Sequence, residues 1–256
     1  MTQLAGKTVL VTGASKGIGA ATAAAMVKAG ATVLAHYGSD QDGAMAALDG
    51  AAQDQAHLIQ ADLSEMAQVD ALWQQALAVS GKVDVLVNNA GIMRQSGGIT
   101  DPIEEWEQVW DEALTVNVQA PARLMRQAVR SWLESGRAGA VIGIGSWVTT
   151  RGSSNPGAIA YAASKAAIAA ATKTVARAYA AQGILAYVIA PGVVRTQMSE
   201  NSAARTGGEA AVTATLPMGE WVPPAEIADL AVYLAGGTAR HLTGSTIDIN
   251  GAAYIR

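Results

Sequence analysis

The stretch Thr8-Val-Leu-Val-Thr-Gly-Ala-Ser-Lys-Gly-Ile-Gly19 joins a short apolar run to a glycine-rich turn, and a helical segment of small residues follows. A strand, such a turn and a helix in this order are typical of the first unit of a nucleotide-binding α/β fold. Gly13 can adopt backbone angles that other residues avoid, while Gly17 and Gly19 let a pyrophosphate and the sheet approach the start of the helix. The free N–H groups and the positive end of the helix dipole then face the phosphates. We therefore expect the cofactor to contact Gly13, Ser15, Lys16, Gly17, Ile18 and Gly19.

Outward from this turn, short apolar runs alternate with longer helical segments along the whole chain. We predict strands at Thr8–Thr12, Thr32–His36, His57–Gln60, Val83–Asn88, Ala140–Ile144, Leu185–Ile189 and Thr246–Ile249. Helices are expected near Ile18–Ala29, Gly43–Ala52, Glu65–Ser80, Pro102–Ser135, Ala158–Gln182 and Pro224–Ala235. This alternation predicts an α/β fold with a doubly wound parallel sheet, the Rossmann fold, of about seven strands with helices on both faces. Because no linker or repeat divides the pattern, residues 1–256 are predicted to form a single dinucleotide-binding domain.

The composition favours a large buried core, since 50% of the 256 residues are hydrophobic and only 15% are charged. Intrinsic disorder is excluded on that ground. The net charge is −4 and the Lys and Arg residues are scattered. Such a charge pattern lacks the basic patch of a protein that binds nucleic acid or an anionic membrane, so neither partner is expected.

The chain has no Cys and only three His, at positions 36, 57 and 241. A disulfide, a thiolate metal site and a cysteine nucleophile are thereby excluded, and the His spacing does not suit a metal centre, so no metal is expected. The first residues lack the basic and apolar regions of a signal peptide, and no apolar run is long enough for a membrane span. A cytoplasmic protein is the expectation.

The end of the second predicted strand should meet the adenosine ribose, where sites that prefer NAD commonly carry an acidic residue. Here the sequence reads Ala35-His-Tyr-Gly-Ser39, with no carboxylate. Lys16 can neutralise a 2′-phosphate, and Ser39 or the backbone after Tyr37 can donate hydrogen bonds to it, so we favour NADP(H). NAD(H) is the alternative, because Asp40 and Asp42 follow closely, although either could instead cap a helix.

Further candidate contacts follow at the ends of three predicted strands. His36 either contacts the adenosine or merely ends its strand. Asp62, next to Leu63, could accept a hydrogen bond from the adenine amino group or could cap the next helix. In Asn88-Asn-Ala-Gly91, the small Ala90 and Gly91 would let the backbone pass close to a ribose, and Asn89 adjoins them.

Tyr161 and Lys165 lie four residues apart and therefore share one face of a predicted helix. An unperturbed phenol has a pKa near 10. A neighbouring lysine cation favours phenolate and would bring that pKa toward the range in which general acid–base catalysis is efficient. Ser146, at the tip of the fifth strand, could bond the substrate oxygen. A serine nucleophile is disfavoured because no His is placed to act as its base.

Taken together, these motifs resemble those of the short-chain dehydrogenase/reductase family, whose roughly 250-residue branch matches the 256 residues of this chain. The resemblance rests on Thr12-Gly-x-x-x-Gly-x-Gly19, Asp62, Asn88-Asn-Ala-Gly91, Asn117, Ser146, Tyr161-x-x-x-Lys165 and Pro191-Gly192 with Thr196. It implies that Tyr161 is the catalytic acid/base, that Ser146 orients the carbonyl or alcohol, and that Lys165 binds the nicotinamide ribose and depresses the Tyr161 pKa. It further implies a proton-relay water held by Asn117. The nicotinamide amide would lie under Pro191, Gly192 and Thr196, and Val194 is a further expected cofactor contact.

The chain departs from the family pattern at two places. Ser146 precedes Tyr161 by 15 residues, a little more than is usual in the family, and the segment 147–154 looks as if it carries a two-residue insertion. This leaves Thr149 and Thr150 as rivals of Ser146. Ser146 is preferred because it directly follows the apolar strand. Near the end, Asn250-Gly-Ala252 replaces the usual Asn-Gly-Gly, and we expect this change to affect packing rather than chemistry.

The substrate side is expected to include residues 93–96, 147–151 and 193–222, the last of which suits a mobile substrate lid because it is rich in small and hydroxyl residues. Candidate substrate contacts are Arg94, Trp147 and Arg151. Two converging arginines, with Arg195 and Arg205 as further candidates, would indicate an anionic substrate; otherwise they face solvent. Trp147 and Trp221 would either wall the pocket or pack in the core.

The leading hypothesis is an NADP(H)-dependent oxidoreductase that acts, without a metal, on a small carbonyl/secondary-alcohol substrate. Three alternatives are a non-catalytic dinucleotide sensor or scaffold, an NAD-preferring sugar or polyol dehydrogenase, and a nucleotide-sugar epimerase or dehydratase. The intact Asn117, Ser146, Tyr161 and Lys165 set argues against the sensor, and the chain lacks the length of an epimerase. By resemblance, the long helices Pro102–Ser135 and Ala158–Gln182 would pair between subunits of a homotetramer or homodimer.

Overall fold

The central feature of the structure, a computed structural model that describes residues 3–52 and 54–255, is one seven-stranded parallel sheet. Its strand order is β3-β2-β1-β4-β5-β6-β7, and each pair of neighbours is parallel. The strands are β1 (Thr8–Val11), β2 (Thr32–Tyr37), β3 (Ala56–Gln60), β4 (Val85–Asn88), β5 (Gly139–Ile144), β6 (Ile184–Pro191) and β7 (Thr246–Ile249). The predicted doubly wound fold and its seven strands are confirmed.

Ten α-helices connect and flank the strands in the described residues. They are α1 (Gly17–Lys28), α2 (Gln41–Ala46), α3 (Met66–Ser80), α4 (Ile103–Leu114), α5 (Ala120–Ser135), α6 (Val148–Arg151), α7 (Ile159–Tyr179), α8 (Gln197–Ala203), α9 (Gly208–Thr213) and α10 (Pro224–Gly236). A π-helical segment, Thr115–Gln119, joins α4 to α5, and short 3₁₀ turns lie at Pro156–Ala158, Ala180–Gln182 and Arg240–Leu242.

The core lies on both faces of the sheet, as a strand buried on both sides requires. Alternate residues of one strand point to opposite faces, so Val9 and Val11 pack with α1 and α10 in one cluster while Leu10 packs with α3, α5 and α7 in the other. The apolar, β-branched strands thus follow directly from two-sided burial.

A reversal of strand order marks where a ligand should bind. The chain runs from β1 outward through β2 to β3, and then returns to place β4 on the other side of β1. The carboxyl ends of β1 and β4 therefore open a crevice between diverging connections, the place where open α/β sheets bind their ligands.

Two predicted helices differ from the observed ones. The segment expected as one helix over Pro102–Ser135 is interrupted by the π-helical turn Thr115–Gln119, which hydrophobic periodicity does not reveal. The segment expected as a helix over Gly43–Ala52 is helical only at Gln41–Ala46, and the chain turns at Gly50 with a φ of 80°.

Within residues 3–52 and 54–255, no helix combines the length and apolar character needed to cross a membrane.

Candidate active site

A cavity of about 400 Å³ opens at the carboxyl ends of the strands, at the crevice between β1 and β4. One end is the glycine-rich turn and the other end holds Ser146, Tyr161 and Lys165. The predicted contacts that line it are Gly13, Ser15, Lys16, Gly17, Ile18, His36, Ser39, Asp62, Leu63, Asn89, Ala90, Gly91, Ser146, Tyr161, Lys165, Pro191, Gly192, Val194 and Thr196. The structure thus brings most of the predicted site together around one cavity.

The glycines of the turn fulfil separate geometric needs. Gly13 and Gly17 have φ angles of 68° and 58°, in the left-handed region that glycine adopts without strain. A Cβ on Gly17 would also lie 2.9 Å from the Cγ2 atom of Thr196. Gly19 packs so closely against the Gly13 carbonyl and the Asn89 amide that no side chain fits there. Gly19 is therefore buried behind the turn and does not line the cavity.

The turn is fixed to the end of β4 by side chains as well as by the sheet. The Thr12 hydroxyl donates to the Val87 carbonyl at 3.2 Å and accepts from the Asn89 and Ala90 N–H groups at 3.0 and 3.1 Å. The Asn89 amide in turn donates to the Thr12 and Gly13 carbonyls at 2.8 and 3.1 Å. Asn89 lines the cavity, but its amide nitrogen is committed to holding the turn.

His36 is almost fully buried, with 2% of its surface exposed, and it links two edges of the cavity. Its Nδ1 atom lies 3.1 Å from the Gly13 nitrogen and its Nε2 atom 3.0 Å from the Ala61 carbonyl oxygen. His36 also lines the cavity, as an adenosine contact would, and it lies one residue before the end of β2. Its neighbour Tyr37, expected at the cofactor, does not line the cavity.

The carboxylates near the adenosine end are held by local hydrogen bonds. Asp40 caps α2, because its Oδ1 atom accepts from the Gly43 N–H group at 2.9 Å. Asp62 accepts from the Ser64 N–H and hydroxyl groups at 2.9 and 2.7 Å, which lowers the pKa of its carboxyl. Asp62 does not cap a helix, since α3 begins only at Met66. Asp42 lies in the first turn of α2, where its negative charge interacts favourably with the positive end of the helix dipole.

At the opposite end, Ser146, Tyr161 and Lys165 meet at the cavity wall. Ser146 follows β5, while Tyr161 and Lys165 lie one turn apart on α7. The Lys165 ammonium donates to the Ile144 carbonyl at 2.8 Å and lies 6.0 Å from the centre of the Tyr161 ring. A Cβ on Gly91 would lie 3.2 Å from the Lys165 Nζ atom, so a bare backbone borders the lysine. Thr149 and Thr150 lie on α6 and do not line the cavity.

The expected depression of the Tyr161 pKa is not found. Burial raises the pKa of Tyr161, and the hydrogen bond with Ser146 only partly opposes this effect. Burial also lowers the pKa of Lys165 to about 8. The reason is that desolvation disfavours both charged forms and is the largest cause of each shift.

Asn117 lies behind the cavity wall on the π-helical segment and is 1% exposed. Its Oδ1 atom accepts from the Ile92 N–H group at 2.8 Å, while its Nδ2 atom donates to the Ile92 carbonyl and to the Ser164 hydroxyl at 2.9 and 3.0 Å. A second cavity of about 10 Å³ is bordered by Asn117 and Lys165. The π turn, often found at functional sites, sets this position.

The arginines expected on the substrate side do not converge. Arg94 forms an ion pair with Glu112 at 2.6 Å, and Arg195 pairs with Glu209 at 2.9 Å. Arg151 instead places its guanidinium 4.2 Å from the centre of the Trp147 ring, outside the main cavity. Arg94 and Arg195 are thus each engaged with a carboxylate, so these three arginines do not offer two free guanidinium groups to an anionic substrate.

Trp221 packs in the core rather than walling the pocket. It is 2% exposed, and its indole N–H group donates to the Thr213 hydroxyl at 2.9 Å. The Arg195 guanidinium lies 5.3 Å from the Trp221 ring centre. This contact links the start of the expected lid to its end.

Five residues that line the cavity were not among the expected contacts, namely Ala61, Ile92, Val116, Ile144 and Gly145. Gly38 and Asp40, beside the expected ribose contacts, also line it, as do Gln197, Met198 and Ser199 from the expected substrate segment 193–222. A signal for α8 was available, because Thr196 caps it, accepting from the Ser199 N–H group at 3.4 Å, and Glu200 lies in its first turn.

Comparison with known proteins places the chain in a family. The family model described as enoyl-(acyl carrier protein) reductase matches residues 13–252. The chain belongs to the short-chain dehydrogenase/reductase family. It is therefore an oxidoreductase acting on the hydroxyl/carbonyl pair with a nicotinamide dinucleotide.

Two relatives and two solved structures illustrate the breadth of this family. The 3beta-hydroxysteroid dehydrogenase 1 of Eggerthella lenta is 37% identical over 97% of this chain and 94% of that protein. The 3-oxoacyl-[acyl-carrier-protein] reductase of Vibrio harveyi is 35% identical over 98% and 99%. A mutant actinorhodin polyketide ketoreductase with NADPH has a TM-score of 0.86 at 27% identity, covering 96% of this chain and 97% of that one. A Burkholderia cenocepacia short chain dehydrogenase in complex with NADP has a TM-score of 0.86 at 29% identity, covering 98% and 99%.

Proposed function

We propose that this protein is an NADP(H)-dependent reductase of a small carbonyl substrate, or the dehydrogenase of the corresponding secondary alcohol, with Tyr161 as the acid/base. One observation carries this proposal. A single cavity has a phosphate-binding type of turn at one end and the Ser146, Tyr161 and Lys165 side chains at the other. A dinucleotide needs this arrangement, with its pyrophosphate at a helix start and its reactive ring at the acid/base.

The residues present fit a dinucleotide. Gly13 and Gly17 present bare backbone at the start of α1, and Gly91 presents bare backbone beside Lys165. In this arrangement the N–H groups of the turn would hold the pyrophosphate and Lys165 would donate to the nicotinamide ribose. The nicotinamide supplies a hydride when it is bound.

The phosphorylated form of the cofactor is favoured by the charges at the adenosine end. Lys16 and Ser39 line the cavity there, and the Asp40 carboxylate is engaged in capping α2. Asp40 is therefore poorly placed to act as the carboxylate that recognises a ribose hydroxyl in NAD sites. The ketoreductase and the Burkholderia cenocepacia enzyme named above were solved with NADPH and NADP. NAD(H) is the alternative cofactor.

In the proposed mechanism, the protonation state of Tyr161 determines whether the site can begin carbonyl reduction or alcohol oxidation at neutral pH. A raised pKa keeps the phenol protonated, so its hydroxyl can give its proton to the oxygen of a carbonyl as that oxygen gains negative charge. The Ser146 hydroxyl donates a second hydrogen bond to the same oxygen and thereby orients it. In alcohol oxidation the roles reverse, and Tyr161 must first lose its proton.

Lys165 and Asn117 support this proton transfer. A lysine with a pKa of about 8 is largely protonated at neutral pH. It can therefore supply a proton to Tyr161 after the phenol has given up its own. The small cavity bordered by Asn117 and Lys165 has about the volume that one water requires. We infer that this position holds the relay water and that Asn117 acts by positioning it.

The substrate class is a ketone or secondary alcohol, and the relatives named above act on 3-oxoacyl thioesters and 3β-hydroxysteroids according to their names. The proposed lid, residues 193–222, is closed at its base by pairing of Val194 with Val222. Because Arg94 and Arg195 are engaged in ion pairs, Arg151 stacked on Trp147 is our candidate for a contact with the substrate.

We further propose a homotetramer or homodimer in which the long helical segments, α4 with α5 and α7, pair between subunits. Apolar surface lies exposed beside and on α4, where Ile99 and Ile103 are 78% and 59% exposed. Exposed apolar groups of this size favour association. Light scattering at micromolar concentration should report a dimer or tetramer, and a monomer would contradict the proposal.

A cytoplasmic location accords with use of the intracellular NADP(H) pool and can be tested by cell fractionation.

Replacement of Tyr161 by Phe tests the catalytic proposal. The Tyr161→Phe variant keeps the aromatic ring but cannot move a proton, so turnover should fall by about a thousandfold or more while nucleotide binding is kept. Tyr179→Phe, at the other end of α7, is the matched control and should retain activity. Unchanged turnover in Tyr161→Phe would refute the assignment.

A further inference from the structure

His36 links two parts of the cavity that lie on neighbouring loops. It is the fifth residue of β2, which pairs with β1 on one side and with β3 on the other. The glycine-rich turn follows β1, and Ala61 with Asp62 follows β3. The imidazole therefore stands between the phosphate end of the cavity and its adenine end.

Two hydrogen bonds connect His36 to the glycine-rich turn. The Gly13 N–H group donates to the Nδ1 atom at 3.1 Å, and the Ala14 N–H group donates to the His36 carbonyl at 2.8 Å. Two successive N–H groups of the turn are thus held by one residue. Their directions set how the N–H groups that follow are presented to the cavity.

On its other side, the Nε2 atom of His36 lies 3.0 Å from the Ala61 carbonyl oxygen. A carbonyl can only accept, so Nε2 must carry a hydrogen, and the Gly13 N–H group can only donate, so Nδ1 must have none. A single protonation state satisfies both neighbours, namely the neutral ring with hydrogen on Nε2. The geometry selects this tautomer from the three states that a histidine can adopt.

Protonation of the ring would break the bridge on one side. A hydrogen on Nδ1 would face the hydrogen of the Gly13 N–H group, so that bond would be replaced by a repulsive contact in a nearly waterless place. The negative charge of Asp62, after β3, favours the imidazolium. The exposed Lys16 on the turn and Asp40 before α2 line the same cavity. Burial outweighs the field of Asp62 and lowers the pKa of His36.

We propose that His36 is a positioning residue that fixes the glycine-rich turn relative to the end of β3, and that the cavity binds its dinucleotide only while the ring is neutral. The second half rests on the proposed function, whereas the first half concerns the protein alone. The consequence is a pH dependence of nucleotide affinity built into the binding site. Affinity falls as the pH drops through the His36 pKa, by up to about tenfold per pH unit below it.

The first test reads the tautomer directly. The chain has only three histidines, so a long-range ¹H–¹⁵N correlation spectrum can assign each ring, with His36→Asn identifying the signals of residue 36. The proposal predicts one hydrogen-free nitrogen at Nδ1 and one hydrogen-bearing nitrogen at Nε2 near neutral pH. A ring with hydrogen on Nδ1, or one that averages between tautomers, would overturn it whether or not a nucleotide binds.

The second test separates the two bonds with a pair of variants. In His36→Asn the side-chain oxygen can take the place of Nδ1 and accept from Gly13, but the side chain is too short to reach Ala61. In His36→Gln the amide nitrogen can reach Ala61, and the bond to Gly13 is lost. Dissociation constants for NADH are measured by fluorescence from about pH 8 to pH 5, because NADH lacks the titrating 2′-phosphate.

The expected results distinguish a positioning role from general support of the fold. His36→Asn should bind NADH nearly as well as the wild type at pH 8 and should lose the acid weakening. His36→Gln should bind about threefold to tenfold more weakly at pH 8, the effect of one lost buried hydrogen bond. His57→Asn, on β3 outside the cavity, is the matched control and should keep the wild-type pH profile.

Two outcomes would overturn the proposal. An acid weakening in His36→Asn equal to that of the wild type would show that another group titrates, and equal affinities of His36→Asn and His36→Gln would show that the Gly13 bond does not position the turn. Thermal unfolding of each variant verifies that it is folded. Failure of every form, wild type included, to bind NADH or NADPH would instead refute the proposed function. The ¹H–¹⁵N spectrum would then still test whether His36 bridges Gly13 and Ala61.

Discussion

Lys165 should make the folded protein less stable at neutral pH than at alkaline pH, because its charge is buried. A pKa that falls from the ordinary 10.5 to about 8 disfavours the folded ammonium by about 3 kcal/mol, at about 1.36 kcal/mol per pKa unit. The unfolded chain keeps its proton up to about pH 10.5, whereas the folded chain loses it near pH 8. Between these values the folded state binds fewer protons, so stability rises with pH.

The variant Lys165→Met isolates this contribution, since it keeps the length of the side chain and removes the charge. From pH 7 to pH 9.5 the wild type should gain about 2 kcal/mol more unfolding free energy than the variant, because most of the desolvation cost is relieved over that interval. Loss of the hydrogen bond to the Ile144 carbonyl lowers the variant's stability by the same amount at both pH values, so it cancels from the comparison. All other titrating groups are common to both proteins.

The assay is guanidinium unfolding of both proteins at pH 7 and pH 9.5, at one protein concentration and without nucleotide. Lys173→Met on the exposed side of the same helix is the control, and its difference from the wild type should be the same at the two pH values. Turnover of Lys165→Met should be lost although the protein is folded. A wild-type-to-variant difference that does not change with pH would refute the idea that burial depresses the Lys165 pKa.

Three further changes test separate parts of the structure. Lys16→Ala should raise the KM for NADPH by about threefold to tenfold and that for NADH much less, since only NADPH carries the 2′-phosphate. Equal effects on both KM values would show that Lys16 does not recognise the 2′-phosphate. Arg151→Ala should raise the KM for a 3-oxo acid several-fold more than for its ethyl ester, whereas Arg94→Ala, whose arginine already pairs with Glu112, should not; no difference between acid and ester would exclude Arg151 as an anion contact. Ala252→Gly should stabilise the protein by about 1 kcal/mol, because Ala252 has a φ of 60°, a conformation that costs an L-residue about that much. Ala253→Gly should not stabilise it, and a thermal melt in which both variants behave alike would contradict this explanation.

The fold and the nucleotide end were predictable because their signals are local. Apolar runs of strand length and a glycine-rich turn at a helix start can be recognised from residues that are adjacent in the sequence. The capping role of Asp40 was predictable for the same reason, since it follows from the position of Asp40 just before α2. Ala252 is a partial case. The sequence showed that Ala252 replaces the usual glycine, and we expected this change to affect packing. The structure shows an effect on backbone conformation instead, since Ala252 is exposed and has a positive φ.

The rest depended on contacts between distant parts of the chain. The π turn that places Asn117 adds no periodic signal, and the bridge from His36 to Gly13 and Ala61 joins residues more than twenty positions apart. The ion pairs of Arg94 and Arg195 likewise join residues on different elements. The direction of the Tyr161 pKa depends on how deeply the phenol is buried, which spacing along a helix does not express.

The most direct test of the proposed function is a fluorescence titration of the purified protein with NADPH and NADH, followed in the same cuvette by a panel of diketones, keto sugars, sugar acids and acetoacetyl thioesters. The proposal predicts tight binding of NADPH, weaker binding of NADH, and oxidation of NADPH by a carbonyl member of the panel that Tyr161→Phe does not support. Binding without turnover of any panel member would favour the sensor alternative, and absence of binding by either nucleotide would contradict the assignment of the cavity itself.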